Sequence, residues 1–190
     1  MFVYSELHER GESETKGIGD VLMYSLEGKQ LTREEVRVIV AEAHVWQKRA
    51  DLRRTDLSKT NLSGADLQGA DLRESLLHGA NLMGANLSEA NLMEANLRWA
   101  NLQGARLERA NLTEASLRWA GLFGANLQEA NLSNAHLECA NLEDADLRRA
   151  VMRGVFLNQA NIRGALLPLS FKERLSQYLR DRSHRFEQLN

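Results

Sequence analysis

The sequence has little cysteine, little proline and no excess of charge of either sign. One cysteine, Cys139, occurs among 190 residues, which excludes an intramolecular disulfide framework and favours a reducing compartment. Acidic and basic residues number 26 and 24, a formal net charge of −2. Such a balance indicates neither nucleic-acid binding nor mimicry of a nucleic acid over the whole surface.

Long apolar runs are also missing from the sequence. No stretch of 18 apolar residues occurs, so the sequence predicts no transmembrane helix. Residues Met1 to Glu6 lack the basic segment and the apolar core that begin a secretory signal. The compartment expected from these features is the cytoplasm.

The chain does contain a strict repeat. From Ala50 to Leu167 an apolar residue returns at every fifth position without insertion or deletion, giving 24 pentads whose positions we number −2 to +2 around that residue. Leu fills 22 of the 24 centres, and the exceptions are Met152 and Ile162. Ala fills position −2 in 20 pentads, and Asn or Asp fills position −1 in 16. The single proline, Pro168, follows the last pentad and is predicted to end the repeat.

A period of five excludes both ordinary secondary structures. Five steps along an α-helix turn about 500°, so successive leucines would spiral around the helix instead of lining one face. Side chains of a flat strand alternate with period two, so an odd spacing would send successive leucines to opposite sides. Each pentad must therefore contain its own corner, and the chain must coil around its leucines as a solenoid.

Three patterns indicate a longer period of 20 residues, or four pentads in each coil. The tripeptide Arg98-Trp99-Ala100 recurs as Arg118-Trp119-Ala120. Glycine fills position +2 in one column from Gly64 to Gly164, except at Asp144, which predicts positive φ at one corner. A second +2 column alternates in charge, in the order Glu89, Arg109, Glu129, Arg149. Six four-sided coils follow, and the usual strand spacing makes them a rod about 29 Å long.

The tandem motif A(D/N)LXX resembles the pentapeptide-repeat family over 118 residues, 50–167. The resemblance implies an all-β solenoid, a right-handed quadrilateral β-helix with the central Leu and the preceding Ala inside. Some members of that family resemble duplex DNA and inhibit type II topoisomerases such as gyrase. That mechanism asks for a broadly acidic surface, usually a symmetric dimer, and often Phe at the pentad centres. This chain has Leu centres, and its repeat carries 14 acidic and 12 basic residues.

A helix is predicted before the repeat. Residues 1–31 are expected to be flexible or irregular, because His8 to Gly19 is polar and contains glycine, although Asp20 to Leu26 has the apolar content of a short strand or helical turn. Thr32-Arg33-Glu34-Glu35 is a capping box, which predicts a helix within residues 32–49 that runs to about Lys48. Its apolar stripe consists of Val36, Ile39, Val40, Ala43 and Trp46. This helix either caps the open end of the solenoid or binds a partner.

A second helix is predicted after the repeat, within residues 168–190. Ser170-Phe171-Lys172-Glu173 is another capping box. An amphipathic stripe follows, made of Leu175, Tyr178, Leu179, Phe186 and Leu189. Three roles stay open for this helix: a cap over the last coil, the contact of a homodimer, and a basic amphipathic helix on a membrane surface.

The uninterrupted repeat leaves few places for chemistry. Active sites are usually built on loops, and no pentad is interrupted by one. The five histidines have no metal-ligand spacing among themselves or with Cys139, and no catalytic trio can be assembled from spacing. Asn and Asp at position −1 are expected to bond the corner backbone. We therefore expect no enzyme, no cofactor and no metal, and we interpret the stacked column of Glu74, Glu94 and Glu114 as a solvated face.

An outward aromatic pair is the most specific surface feature. Trp99 and Trp119 stand one coil apart beside Arg98 and Arg118, and Phe123 adds apolar area on the adjacent side. Paired Trp and Arg are favoured at protein interfaces. The alternative is that the two rings only stack coil on coil, after a local duplication. The leading hypothesis is a non-enzymatic scaffold that presents flat solenoid faces to a protein partner, with no nucleic-acid partner expected.

Overall fold

The computed structural model describes residues 26–171 and residue 173. Residues 1–25 of the segment 1–31 that is predicted to be flexible or irregular lie outside these described residues, and with them all but the last residue of the possible short element from Asp20 to Leu26. The amphipathic stripe from Leu175 to Leu189 also lies outside them. None of the described helical segments has the length and apolar content that crossing a bilayer requires.

Each pentad turns the chain once, at positions +1 and +2. The N–H of the following residue donates to the central C=O, as from Thr60 to Leu57 at 3.2 Å. The +2 residue has positive φ and the +1 residue does not, which is the pattern of a type II turn. The chain therefore changes direction after every central residue, as the period of five requires.

Successive coils are joined by parallel β-bridges between −1 residues that lie 20 positions apart, such as Asp51 and Asp71. Two backbone hydrogen bonds accompany this bridge, from Leu52 N–H to Asp71 C=O at 2.8 Å and from Asp71 N–H to Ala50 C=O at 2.9 Å. A third bond joins each +2 N–H to the +1 C=O of the next coil. Four pentads thus make one coil. Within the described residues each side has a single bridged residue, so the sides are shorter than conventional strands.

The interior contains the central residues and the −2 residues. Central leucines from Leu52 to Leu147 are at most 1% exposed, and each contributes about 1.5–3 kcal/mol through burial. Thr55 and Ser75 replace Ala inside the solenoid. Their hydroxyls donate to the central C=O of their own turns at 2.7 Å. These two polar groups are tolerated because each is hydrogen-bonded where it is buried.

The predicted restriction of positive φ to one corner is wrong, because all four corners have it. Every +2 residue from Arg54 to Gly164 has φ between 54° and 70°, and 15 of these 23 residues are not glycine. A left-handed conformation costs a residue with a Cβ roughly 1–2 kcal/mol. The inter-coil hydrogen bonds impose the same turn on every pentad, whichever residue occupies position +2.

The N-terminal end differs from the expected irregular segment. Residues 28–31 pair with the first coil, because Gln30 bridges Asp56 and the N–H of Leu31 donates to the C=O of Asp56 at 2.8 Å. Leu31 is therefore in register with the central leucines and is 1% exposed. An additional side thus covers one edge of the first coil before the helix begins.

Helix α1 (Arg33–Val45) follows directly and has the predicted capping box at Thr32 and Glu35. Val36 is buried in the solenoid core, and three further apolar residues of the helix pack against it: Ile39, Val40 and Ala43. Trp46 does not join them, because it is the C-cap and is largely exposed.

Helix α1 ends at Val45, three residues before the predicted end at Lys48. Gln47 has φ of 50°, and its N–H donates to the C=O of His44 at 3.1 Å. The N–H of Lys48 donates to the C=O of Ala43 at 2.9 Å. These two bonds form a Schellman motif, which stops the helix and turns the Trp46 side chain out of the apolar stripe.

At the C-terminal end the chain is helical at residues 169–171 and 173. Ser170 therefore lies in the first turn and not at the predicted N-cap, because the helix begins at Leu169, directly after Pro168. Pro168 is buried, and Phe171 packs against the core. Central residues of the last coil are only half-buried, namely Leu157, Ile162 and Leu167.

The cost of positive φ can be measured at Glu94, which has φ of 59°. We expect Glu94→Gly to stabilise the protein by about 0.5–1 kcal/mol, because Gly adopts this conformation freely but loses more entropy on folding. Glu94→Ala is the matched control, since it removes the same charge and keeps the strain. Gly84→Ala should destabilise by a similar amount, because its added Cβ meets no atom within 4 Å and the effect is purely conformational. Urea unfolding measures the stability of these variants. Equal stability of Glu94→Gly and Glu94→Ala would contradict this account.

Candidate protein-interaction surface

The aromatic patch consists of Arg98, Trp99, Arg118, Trp119 and Phe123. The Trp99 and Trp119 rings are stacked, with centroids 4.9 Å apart and planes inclined by 4°. Both residues occupy position +2 of the same corner in successive coils, with φ of 61° and 58°. The stack therefore follows from the 20-residue register, which places equivalent residues of neighbouring coils above one another.

The rings remain accessible although they stack. Trp99 is 54% exposed, Trp119 39% and Phe123 41%. Met83 occupies the same pentad position as Phe123 on the same side of the solenoid, two coils earlier, and it is also exposed. The structure thus places all three aromatic residues of the patch on the surface, across two adjacent sides of the solenoid.

The two arginines of the patch have different environments. The Arg98 guanidinium lies over the Trp119 ring, 5.2 Å from its centroid, a cation–π contact. Arg118 instead donates to Glu138 Oε1 at 2.9 Å, and its Nη2 lies 3.1 Å from His136 Nδ1. Arg118 is therefore held by an ion pair, whereas Arg98 is held against the exposed aromatic rings.

Glu138 anchors this part of the surface. The hydrogen bond from Arg118 lowers the pKa of Glu138 from its usual 4.5 to about 2, against the opposing effect of burial. Its second oxygen, Oε2, is buried without a hydrogen-bond partner. The cost of burying this carboxylate is therefore offset by Arg118 and by His136, whose Nδ1 lies 3.2 Å from Glu138 Oε1.

Sequence reasoning missed Glu138, His136 and Phe156. The Phe156 ring stacks on the His136 ring, with centroids 4.6 Å apart. This second aromatic pair lies on the side that carries Arg118. Glu138 lies 20 positions after Arg118, Phe156 lies 20 positions after His136, and His136 lies 18 positions after Arg118. Residues about 20 positions apart are neighbours in successive coils, so the 20-residue register could have predicted these contacts. The second pair extends the aromatic surface toward the last coil.

The remaining charged columns are mostly neutralised. Arg109 and Arg149 both pair with Glu129, at 3.0 and 3.2 Å, as the alternating column predicts. Arg148 pairs with Asp146 at 2.6 Å. Among the described residues, no group of three or more His, Cys, Asp or Glu residues is placed to hold a metal ion. The surface around the aromatic patch is therefore one of mixed charge.

The acidic column has the register that the sequence predicts. Glu74 pairs with Arg54 at 3.0 Å. Glu94 and Glu114 follow at the same corner, exposed and with positive φ. The Asn and Asp residues at position −1 accept from the +1 backbone N–H, as Asn101 does from Gln103 at 3.1 Å. They bond the corner backbone, as expected.

Fold and surface together define a β-solenoid with an exposed aromatic patch. A family profile described as pentapeptide repeats matches the chain in 8 copies, over residues 50–88, 90–128 and 125–164. The chain belongs to the pentapeptide-repeat family, whose members fold as right-handed quadrilateral β-helices.

Several solved structures are similar to the chain. HetL from the cyanobacterium Nostoc sp. strain PCC 7120, a pentapeptide-repeat protein involved in heterocyst differentiation regulation, is 33% identical, with 63% of this chain and 68% of HetL covered and a TM-score of 0.27. The protein alr5209 of Nostoc PCC 7120 is 31% identical over 74% and 97% of the chains, with a TM-score of 0.22. QnrB1, a plasmid-mediated fluoroquinolone resistance protein, is 22% identical over 71% and 75%, with a TM-score of 0.28. Comparison with curated proteins gave no match.

The lowered pKa of Glu138 predicts a pH dependence of stability. A carboxyl group with a pKa of about 2 in the folded state and about 4.5 in the unfolded state stabilises the fold above pH 4.5. That contribution is lost as the pH falls from about 4.5 towards 2. We expect Glu138→Gln to be less stable than the wild type at pH 7, with the difference shrinking below pH 4. Unfolding at several pH values measures it, and a difference that did not change with pH would contradict the Arg118 pairing.

Proposed function

We propose that the protein is a non-enzymatic scaffold that binds a protein partner through the aromatic patch. The observation that carries this proposal is the exposed Trp99–Trp119 stack with Arg98 across its surface. Tryptophan and arginine dominate the binding energy of protein interfaces. A flat side with stacked rings suits a protein surface better than a small molecule, which usually needs a concave pocket.

Preorganisation supports the same proposal. The backbone of each Trp is fixed by inter-coil hydrogen bonds, such as the one from Trp99 N–H to Arg118 C=O at 3.0 Å. Arg118 is fixed by Glu138. Side chains that are already ordered lose less entropy when a partner binds, so more of the contact energy appears as affinity.

Stacking alone does not account for the patch. A pair of stacked rings gains about 0.5–1.5 kcal/mol beyond its buried area, which would be sufficient reason for the Trp pair. It would not require Phe123 to be exposed on the adjacent side, nor Arg98 to lie over the Trp119 ring. An interface explains these additional features together.

The alternative hypothesis, a DNA mimic acting on a type II topoisomerase, has no comparable support. Mimicry requires a broadly acidic surface, whereas Glu129, Asp146 and Glu74 all pair with arginines. A supercoiling assay with purified protein at micromolar concentration would show inhibition only under that alternative. For the compartment, the single cysteine favours the cytoplasm. A homodimer through the C-terminal helix stays a hypothesis that concerns residues outside the described part.

The aromatic patch can be tested by the double variant Trp99→Ala with Trp119→Ala. We expect recovery of the partner from an extract of the source organism to fall by about tenfold or more, because truncating central aromatic residues commonly costs that much affinity. The variant should stay folded, since both side chains point outward and the backbone turn is unchanged. Affinity capture with quantitative mass spectrometry measures the loss, and circular dichroism checks the fold.

The matched control is Glu94→Ala with Glu114→Ala. These residues occupy the same turn position in the same two coils, with the same positive φ, at the preceding corner. Recovery of the partner should be unchanged in this control. Equal recovery by the wild type and the folded Trp variant would refute the proposed patch.

A further inference from the structure

The solenoid side that carries Phe123 also carries a ladder of asparagines at position −1. The asparagine ladder has one residue in each of six coils, with glycine in the fourth: Asn61, Asn81, Asn101, Gly121, Asn141 and Asn161. Gly121 is the one glycine at position −1 in the repeat. It lies two residues after Trp119 and two before Phe123, within the aromatic patch.

An intact rung of the ladder brings two N–H donors to one oxygen. Oδ1 of Asn81 accepts from the backbone N–H of Met83 at 3.2 Å and from Nδ2 of Asn101 at 3.4 Å. Oδ1 of Asn141 likewise accepts from Glu143 N–H and from Asn161 Nδ2, both at 3.1 Å. The first rung, at Asn61, has the same arrangement.

Gly121 has no side chain, so its rung lacks the accepting oxygen, while the two N–H donors that would bond to that oxygen are still present. The backbone N–H of Phe123 and Nδ2 of Asn141 stand in the positions of the donors in the intact rungs, and neither has a recorded hydrogen-bond partner among the described residues. On the other side of the gap, Oδ1 of Asn101 accepts from Gln103 N–H and receives no Nδ2 donor from the next coil. The missing side chain thus leaves two donors and one acceptor.

The gap is open. A Cβ built on Gly121 would have one atom within 4 Å, Asn101 Oδ1 at 3.8 Å, which is an ordinary contact. Its φ is outside the left-handed range, so any side chain fits the backbone. Other −1 positions without Asn or Asp are filled by a side chain. At Arg106, for example, the Asn of the next coil, Asn126, donates to Glu108 instead, at 2.8 Å.

We propose that this gap binds a primary carboxamide, the side chain of an asparagine or glutamine of the protein partner. The carboxamide oxygen accepts from Phe123 N–H and Asn141 Nδ2, and its NH₂ group donates to Asn101 Oδ1. A carboxylate matches the two donors but repels the Asn101 oxygen, and a hydroxyl is too short to reach all three groups. The inference rests on the proposed function, because the aromatic patch brings the partner to this position.

The site can be probed directly with acetamide, which needs no knowledge of the partner. In the ¹⁵N-labelled full chain, acetamide titrated to molar concentration should shift the Phe123 N–H and Asn141 Nδ2 signals. The Glu143 N–H and Asn161 Nδ2 signals are the internal control, because an intact rung already satisfies them. Sodium acetate should shift the first pair less than acetamide does. Equal shifts for the two pairs of signals, or a larger shift with acetate, would overturn the proposal.

Gly121→Asn tests the same site by filling it. This variant completes the ladder, so its melting temperature should equal or exceed that of the wild type, and the acetamide shifts at Phe123 and Asn141 should disappear. Recovery of the partner by affinity capture should fall about tenfold, the effect of losing one or two net hydrogen bonds. Arg106→Asn is the matched control, since it adds an Asn at position −1 on a side without patch residues, and it should leave recovery unchanged.

Failures of the two proposals can be told apart. If the Trp variant still captured the partner, the proposed function would fail, while the acetamide titration would still report on the gap. If the Trp variant lost the partner but Gly121→Asn captured it at the wild-type level, the carboxamide site would be refuted and the aromatic patch would stand.

Discussion

The inter-coil backbone ladder is the interaction on which the rest of the structure depends. Each side of each coil contributes hydrogen bonds that place a residue directly over the residue 20 positions earlier. Every residue of the inner coils therefore has a neighbour of the same pentad position above and below, and a residue of an end coil has one such neighbour. Leucines stack on leucines inside, and outside the same register produces the ion pairs, the asparagine ladder and the Trp stack.

This register has a conformational cost that is spread over the whole chain. Position +2 is left-handed in every turn, yet most of these positions have a residue other than glycine. A single turn with such a residue would be unfavourable alone. Three inter-coil hydrogen bonds in each pentad hold the turn in this conformation, whichever residue occupies position +2. The outward positions can therefore carry acidic, basic or aromatic side chains without a change of fold. The Glu, Arg and Trp residues at the corners are a consequence of that freedom.

The same freedom is the basis of recognition by a rod without loops. Specific features arise where one column departs from its neighbours: Trp at two successive corners, Arg98 over an aromatic ring, and a glycine in a ladder of asparagines. Because the backbone does not change at these places, each departure alters the surface and leaves the fold as it is. A scaffold of this kind can acquire a binding surface by single substitutions.

The sequence by itself determined the coiling, the inside and outside positions, and the neighbours within each column, because a repeat without insertions fixes register. It placed Trp99 beside Trp119 and Glu129 beside Arg109. The tertiary structure alone decided which contacts outward side chains make, because long side chains choose rotamers according to neighbours across coils. Arg118 thus pairs with Glu138 while Arg98 covers Trp119, although both stand at the same pentad position. The ends were also decided by tertiary structure, since residues 28–31 pair with the open edge of the first coil through a bridge at Gln30 and backbone hydrogen bonds that no repeat in the sequence indicates.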